Sequence, residues 1–245
     1  MDNTNNYNDG SYLDNEINTT NIGVDNTKPE DYGWPNDISG IEPIDNHDDG
    51  PEPEAKELYL DFFDPEADYV TNYGAIGVVI GHEMTHGFDD QGCQFDKDGN
   101  LANWWTPDDK ANYDKRTKVL ADWFSEQEAI PGLKVNGEKT LGENVSDNGG
   151  LKVAYRAFEN RMKSEPLKTI DGFTPAQRFY LAYARVWASN ATPEYIADIT
   201  NSDVHSPSRI RVSAALPMID TWYNAFNVKK TDKMFVPKEK RALVW

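Results

Sequence analysis

One stretch of the sequence, His82-Glu83-x-x-His86, constrains this chain more than any other. It follows a run of apolar and small residues, 75–81, so we predict that both stretches form one buried helix. Residues four apart lie on the same face of a helix, so His82 and His86 can bind one metal ion through their imidazoles. Burying two histidines and a glutamate without a partner is costly, and a metal ion supplies one. The pattern predicts a zinc site, with Glu83 as general base for a water molecule at the metal.

Two histidines do not complete such a site, because catalytic zinc takes three protein ligands and keeps one position open. The other histidines are His205 and His47, and His47 lies in an acidic run typical of a solvated loop. Glu143 offers a carboxylate, and Asp147, four residues later, can accept a hydrogen bond from a ligand histidine. Asp89 is placed to do the same from the first helix. Without the His-x-x-x-His pair, Glu143 and Asp147 would indicate only a solvated helix face.

Negative charge is concentrated at the start of the chain. The formal net charge is −18; residues 1–57 hold 15 Asp and Glu against two Lys, which is −13, and leaves −5 for the rest. This charge excludes nucleic acid as a partner. Residues 1–57 also lack hydrophobic periodicity, so we predict a disordered acidic leader there and a folded domain over residues 58–245.

The sequence has no features that direct it to a particular compartment. The N-terminus lacks the basic and apolar regions of a signal peptide, and we expect no membrane segment because no apolar run is long enough. A cytoplasmic location and export by a route not encoded here both fit. Cys93 is the single cysteine, so an internal disulfide is excluded.

Local signals predict a mostly helical domain with one small β element. Thr106-Pro107 and Thr174-Pro175 each combine a capping residue with a proline at the first helical position. Asn136-Gly137 predicts a hairpin over residues 133–140, after a break at Pro131-Gly132. The predicted helices span residues 72–88, 106–128, 142–163, 173–189 and 208–226, the last kinked or broken at Pro217. The buried stripe of the second helix comprises Tyr113, Val119, Leu120, Trp123 and Phe124.

These motifs together resemble the neprilysin family of zinc metallopeptidases, which includes endothelin-converting enzymes and bacterial PepO endopeptidases. The resemblance rests on the metal-binding pattern and on Glu143-Asn144-x-x-Asp147, and it covers about residues 62–245. It implies an α+β zincin-like fold that is predominantly α. Further matching motifs are Asn72-Tyr73-Gly74-Ala75-Ile76-Gly77, Gly87-Phe88-Asp89-Asp90, Asn103-Trp104-Trp105-Thr106, Asn148-Gly149-Gly150, Asp203-Val204-His205-Ser206-Pro207 and Val244-Trp245.

The resemblance also implies roles for individual residues. One Zn²⁺ per chain would be bound by His82, His86 and Glu143. Glu83 would be the general base, and Asp89 and Asp147 would orient the two histidines. His205 would stabilise the oxyanion of the tetrahedral intermediate, and Arg211 would hold substrate carbonyl groups. Phe62, Val79, Val186 and Trp187 would line a pocket for a bulky apolar residue after the scissile bond, although plain core packing also accounts for these four.

The chain departs from the family in what precedes residue 62. Family members have a large helical N-terminal portion that limits substrates to short peptides, and an Asn-Ala-aromatic segment that binds the substrate backbone. Neither is recognisable in residues 1–57, so a fragment, a short paralogue and one half of a split enzyme all stay open. We therefore weigh a zinc endopeptidase of oligopeptides against a zinc-binding module with little activity, and against a helical domain with a chance motif.

Overall fold

The computed structural model describes residues 62–244. The predicted leader, 1–57, and the predicted start of the domain at 58 lie outside the described residues. Within this range the protein is predominantly helical with one small hairpin, as the sequence predicts. The helices are α1 (Tyr69–Gly74), α2 (Ile76–His86), α3 (Pro107–Ser125), α4 (Leu141–Ser164), α5 (Pro175–Val186), α6 (Pro193–Ser202), α7 (Ser208–Ser213) and α8 (Asp220–Phe226), and the strands are β1 (Glu128–Ile130) and β2 (Leu133–Lys134).

The helix predicted over residues 72–88 is in fact two helices, α1 and α2. They are separated at Ala75, whose backbone leaves helical geometry (φ −97°, ψ −98°). The first helix begins earlier than predicted because the Asp68 side chain accepts a hydrogen bond from the backbone N–H of Thr71. Gly74 packs so closely on α5 that a Cβ there would lie 2.1 Å from the carbonyl oxygen of Phe179. This long-range contact fixes α1 against α5, and the break lets α2 pack separately.

Helix α2, which carries the two site histidines, packs directly on α4. Two glycines of α4 allow the close approach. A Cβ on Gly150 would lie 2.5 Å from the carbonyl oxygen of Val78, and one on Gly149 would lie 2.5 Å from the hydroxyl of Thr85. Because Gly150 has no side chain, the backbones of the two helices meet there directly and set the distance between their functional residues.

Helix α3 starts as predicted. The Thr106 side chain accepts a hydrogen bond from the backbone N–H of Asp109, whose carboxylate accepts one from the Thr106 backbone in return. Of the predicted stripe, Tyr113, Leu120 and Phe124 are buried and Trp123 is half-buried. Val119 is 39% exposed, so its predicted burial was wrong. It directly precedes Leu120 and therefore lies about 100° round the helix from that buried side chain.

The hairpin lies earlier than the sequence predicts. Strands β1 and β2 pair antiparallel across Pro131-Gly132, where Gly132 has φ +81°. The predicted turn at Asn136-Gly137 is wrong: the Asn136 carbonyl accepts a hydrogen bond from the backbone N–H of Thr140 in the approach to α4. Gly137 instead allows close packing on α3, where a Cβ would lie 2.0 Å from the Ala121 carbonyl oxygen.

The C-terminal helices agree in part with prediction. Thr174 caps α5 as expected, but the helix ends at Val186, before the predicted end at residue 189. Helix α6 was not predicted, although Thr192-Pro193 has the same cap and proline as α3 and α5. Residues 208–226 are broken into α7, a 3₁₀ turn at Leu216–Met218 that contains Pro217, and α8.

Aromatic side chains of α4, α5 and α8 form much of the hydrophobic core. Tyr155 of α4 stacks on Tyr180 of α5 with ring centroids 5.4 Å apart, and it meets Phe179 edge-on at 5.2 Å. Tyr180 in turn contacts Phe226 of α8. Over residues 62–244, none of the helices is long and apolar enough to cross a membrane.

Candidate metal centre

Helix α2 brings the two histidines of the motif together, as their four-residue spacing predicts. The Nε2 atoms of His82 and His86 lie 3.0 Å apart, and the two rings meet edge to face. His82 is buried, with 6% of its surface exposed, and His86 is half-buried. Both nitrogens therefore point at the same small volume.

Glu143 supplies a carboxylate to that volume from the first turn of α4. Its Oε2 lies 3.1 Å from Nε2 of His82, and its Oε1 lies 3.6 Å from Nε2 of His86. One ligand atom from each of the three residues falls within 4.8 Å of the others. The structure thus brings the two histidines of α2 together with a carboxylate of α4 that is distant in the sequence.

This group of residues fits a metal ion. Tetrahedral zinc, with bonds of about 2.0–2.1 Å to nitrogen or oxygen, would hold its ligand atoms roughly 3.3 Å apart. The two Nε2 atoms are 3.0 Å apart, and the two oxygens of Glu143 lie 3.1 and 3.6 Å from Nε2 of His82 and of His86, all close to that value. Oε2 of Glu143 is buried, and among the described residues its only hydrogen-bonding neighbours are the ring nitrogens of His82 and His205, 3.1 and 3.0 Å away. A buried carboxylate oxygen in that state has the free lone pairs that a cation needs.

Each of the two histidines also has a carboxylate at its other ring nitrogen. Nδ1 of His82 lies 2.8 Å from Asp147 Oδ1, and Nδ1 of His86 lies 2.7 Å from Asp89 Oδ2. Asp89 is fixed in turn, because its Oδ1 accepts hydrogen bonds from the backbone N–H groups of residues 91 and 92. Such contacts favour the tautomer whose Nε2 lone pair faces the metal.

The electrostatics of this group are dominated by the buried pair of His82 and Asp147. Burial opposes the protonated imidazole, but hydrogen bonds with Asp147 and Glu143 outweigh it and raise the pKa of His82 to about 9. Burial would raise the pKa of Asp147, but the charge of Arg211 and the contact with His82 hold it below its usual range. Protons and a metal ion therefore compete for His82.

Arg211 lies inside the site rather than at its edge. Its Nε and Nη2 donate hydrogen bonds of 2.8 and 2.6 Å to the two oxygens of Asp147. Its guanidinium stacks on Trp187, 3.8 Å from the ring centroid, and Tyr183 donates a hydrogen bond to its backbone carbonyl. The predicted contact with substrate carbonyls stays a prediction, since two of the three guanidinium nitrogens already bind Asp147.

Glu83 and His205 flank the three candidate ligands. Glu83 follows His82 on α2 and is exposed. His205 approaches from the loop before α7, with its Nε2 3.0 Å from Oε2 of Glu143. Asp203 accepts hydrogen bonds from the backbone N–H of His205 and from its Nδ1, at 2.9 and 2.8 Å. The predicted general base and the predicted oxyanion donor thus come from different elements but line the same cavity.

That cavity has a volume of about 100 Å³. Its wall contains all four side chains for which the sequence suggested a substrate pocket: Phe62, Val79, Val186 and Trp187. All four are half-buried and Trp187 also packs against the hydrophobic core, so their role as a substrate pocket stays a prediction. An apolar patch beside a few convergent polar groups is the usual composition of a small-ligand site.

Sequence reasoning missed one contact in the site. The hydroxyl of Ser146 lies 3.1 Å from Nδ1 of His86, beside Asp89, and Ser146 is completely buried. Its only signal in the sequence is its place one residue before Asp147, which does not indicate a contact with the other histidine.

Comparison with known proteins identifies the group to which this chain is related. The family model described as peptidase family M13 matches residues 55–242. Endothelin-converting enzyme 1 of Cavia porcellus is 45% identical over 159 residues, which is 63% of this chain and 21% of that protein. Human neprilysin is 38% identical over 189 residues, or 75% of this chain and 25% of that protein.

The solved structures that this chain resembles include a zinc metalloprotease and PepO. The zinc metalloprotease Zmp1 of Mycobacterium tuberculosis, crystallised with an inhibitor, matches at 38% identity with a TM-score of 0.73, over 78% of this chain and 30% of that one. PepO of Lactobacillus rhamnosis matches at 36% identity with a TM-score of 0.68, over 78% and 29%. This chain spans about a fifth to a quarter of the length of the curated relatives it matches. The chain belongs to peptidase family M13.

Proposed function

We propose that this chain is the zinc-binding catalytic part of an endopeptidase that hydrolyses peptide bonds of oligopeptides. The observation that carries the proposal is the convergence of His82, His86 and Glu143, whose ligand atoms lie within 4.8 Å of one another. Membership of family M13 supports zinc as the ion. In the proposed organisation, residues 58–245 form the catalytic domain and residues 1–57 precede it as a separate acidic leader.

Zinc, when bound, supplies the Lewis acidity that activates water and polarises a carbonyl group. The chain's own residues would do the rest. The Glu83 carboxylate would accept a proton from the attacking water and later pass it to the leaving amine. His205, with a proton on each ring nitrogen, would donate from Nε2 to the oxyanion that develops on the substrate carbonyl, and its bond from Nδ1 to Asp203 would hold it in the right orientation.

The apolar side chains of the cavity suggest the substrate preference. The cavity is lined by Phe62, Val79, Val186 and Trp187 together with Glu83 and His205. A bulky apolar side chain on the residue after the scissile bond would fill this space, and its burial would contribute binding energy. We therefore propose a preference for Phe or Leu at that position.

The second candidate is a zinc-binding module with little turnover of its own. It is favoured by one observation: the relatives are four to five times longer than the matched region, which covers 21% to 25% of them. Both candidates require the metal. They differ in whether the zinc-loaded chain cleaves peptides.

Turnover by the purified chain, loaded with zinc, tests the proposal. The substrate is a short fluorogenic peptide with Phe after the scissile bond, compared with the same peptide carrying Asp there. We expect cleavage of the first peptide, loss of cleavage with a chelator, and a kcat lowered on the order of 10²- to 10⁴-fold in Glu83→Gln, with zinc retained. Glu126→Gln, a change of an acidic residue at the end of α3, is the matched control and should behave as the unmutated chain.

Zinc-loaded protein that cleaves neither peptide would favour the second candidate. Full activity in zinc-loaded Glu83→Gln would refute the mechanism.

A further inference from the structure

His205 lies at the end of an exposed stretch of the loop that precedes α7. Residues 203–205 are exposed, and the imidazole of His205 itself keeps 44% of its surface accessible. Yet its Nε2 lies 3.0 Å from Oε2 of Glu143. Since Asp203 belongs to the same loop, its bonds to His205 orient the ring within the loop but do not attach the loop to α4. A different contact must therefore attach the loop to α4.

The attachment is the residue that follows His205. Ser206 is 3% exposed, and its hydroxyl donates a hydrogen bond of 2.9 Å to Oδ1 of Asn144. Asn144 follows Glu143 in α4 and is 1% exposed. Its Nδ2 donates a second hydrogen bond, 2.9 Å long, to the hydroxyl of Thr140. The Asn144 amide is therefore fixed at both ends.

The arrangement joins neighbours of two functional residues. The hydrogen bond between Ser206 and Asn144 links the backbone beside His205 to the backbone beside Glu143, across 62 positions of sequence. Both partners are buried, so water does not compete for the bond, and losing the hydroxyl would leave Oδ1 of Asn144 unpaired.

We propose that Ser206 and Asn144 are positioning residues that set the distance between His205 and the candidate metal ligand Glu143. This inference rests on the proposed peptidase function. Neither side chain lines the cavity of the site, so both act through His205. Their contribution is to keep the Nε2 donor in place as charge develops on the substrate oxygen, because a donor displaced by about 1 Å can cost a rate factor on the order of 10².

Substitution of Ser206 tests the role directly. In Ser206→Ala we expect kcat to fall roughly 10-fold with little change in KM and with zinc content retained, since the lost precision affects the transition state more than the bound substrate. Ser206→Thr keeps the hydroxyl and should restore most of kcat. Ser202→Ala is the matched control, because within residues 62–244 that exposed hydroxyl bonds only the Asp198 carbonyl of its own helix.

A double-mutant cycle separates positioning from a general effect on folding. In a His205→Ala background, Ser206→Ala should cause no further fall in kcat, because no imidazole remains to be positioned. Additive losses would overturn the proposal, as would an unchanged kcat in Ser206→Ala. If Ser206→Ala does not fold, Thr140→Val takes its place in the same cycle, since it frees the other end of the Asn144 amide.

The affinity of an inhibitor tests the positioning role without requiring that the chain cleave peptides. A phosphonate dipeptide carries a tetrahedral oxyanion, so its affinity for zinc-loaded protein reports the oxyanion contact without catalysis. We expect His205→Ala and Ser206→Ala to weaken its binding, and the double variant to match His205→Ala. That pattern would support the positioning role even if the chain alone cleaves no peptide. Unchanged phosphonate affinity in Ser206→Ala would overturn it, whether or not peptides are cleaved.

Discussion

Arg211 donates hydrogen bonds to both oxygens of Asp147, and Asp147 in turn contacts the second ring nitrogen of His82. The guanidinium thus binds the carboxylate that contacts the candidate metal ligand His82. A lysine keeps the charge but cannot reproduce the two parallel bonds of the guanidinium.

Arg211→Lys should therefore weaken zinc binding on the order of 10-fold. It should also lower the free energy of unfolding by roughly 1–3 kcal/mol, because a buried acceptor loses a partner. Competition with a fluorescent chelator and thermal melting measure the two effects. Arg209→Lys, which changes an exposed arginine of the same helix, is the control. If Arg211 acted on substrate alone, only KM would change.

Removal of any one candidate ligand should empty the site. We expect His82→Ala, His86→Ala and Glu143→Ala each to purify with little zinc, because two remaining ligands bind the ion weakly. Elemental analysis measures the loss, and zinc should no longer raise the melting temperature of these variants. Glu83→Gln, next to a ligand but not in contact with the ion in this scheme, should stay loaded. Full occupancy in Glu143→Ala would exclude Glu143 as the third ligand.

The stability of the metal-free protein should depend on pH through His82. Its pKa rises on folding from 6.5 to about 9, so the folded state binds the proton more tightly than the unfolded chain. The resulting stabilisation is fully present below pH 6.5 and is lost as the pH rises towards 9. Melting temperatures of chelator-treated protein should fall over that window, and His82→Ala should reduce the slope. Zinc affinity should rise over the same window, as the proton leaves. A flat profile would contradict this account.

The contact between α2 and α4 predicts that one added methyl group, placed against the backbone of α2 at Val78 and His82, can damage the site. In Gly150→Ala the new Cβ would meet the Val78 carbonyl at 2.5 Å, so the helices must separate. We expect a loss of roughly 1–3 kcal/mol in unfolding free energy and weaker zinc binding. Gly77→Ala is the control within α2, because its closest contact would be 3.3 Å. Equal zinc affinity in the two variants would show that the spacing of the helices does not control the site.

Deletion of residues 1–57 should change the melting temperature little. The segment has no hydrophobic periodicity and carries most of the negative charge, so it is poorly suited to join a core. Melting curves of the full chain and of residues 58–245 provide the comparison. A large loss of stability on deletion would show that the leader packs on the domain.

Sequence reasoning succeeded where the signal is local. The capping boxes at Thr106 and Thr174 depend on residues three apart, and both form. It missed α6, although the Thr192 cap is local, and it also failed where a distant contact decides. The break at Ala75 accompanies packing of Gly74 on α5, and Gly137 meets α3 instead of turning a hairpin. The bond between Ser206 and Asn144 has no local signal at all, because its partners are 62 residues apart.

Three histidines around the site direct the same ring nitrogen, Nε2, towards the cavity. In His82, His86 and His205 the Nδ1 atom lies 2.7 to 2.8 Å from a carboxylate oxygen, and the three carboxylates come from different segments of the chain. Turning any ring over by 180° would put a carbon atom where Nδ1 lies and break that bond, so the contact with the carboxylate fixes the orientation of each ring. An acylating reagent reacts with the neutral ring at the nitrogen that carries the lone pair; with the Nδ1 proton bound to Asp203, the exposed His205 should be modified at Nε2 alone. Each histidine therefore presents the same ring nitrogen, Nε2, to the cavity. Identifying which nitrogen of His205 carries the label would show this without any substrate.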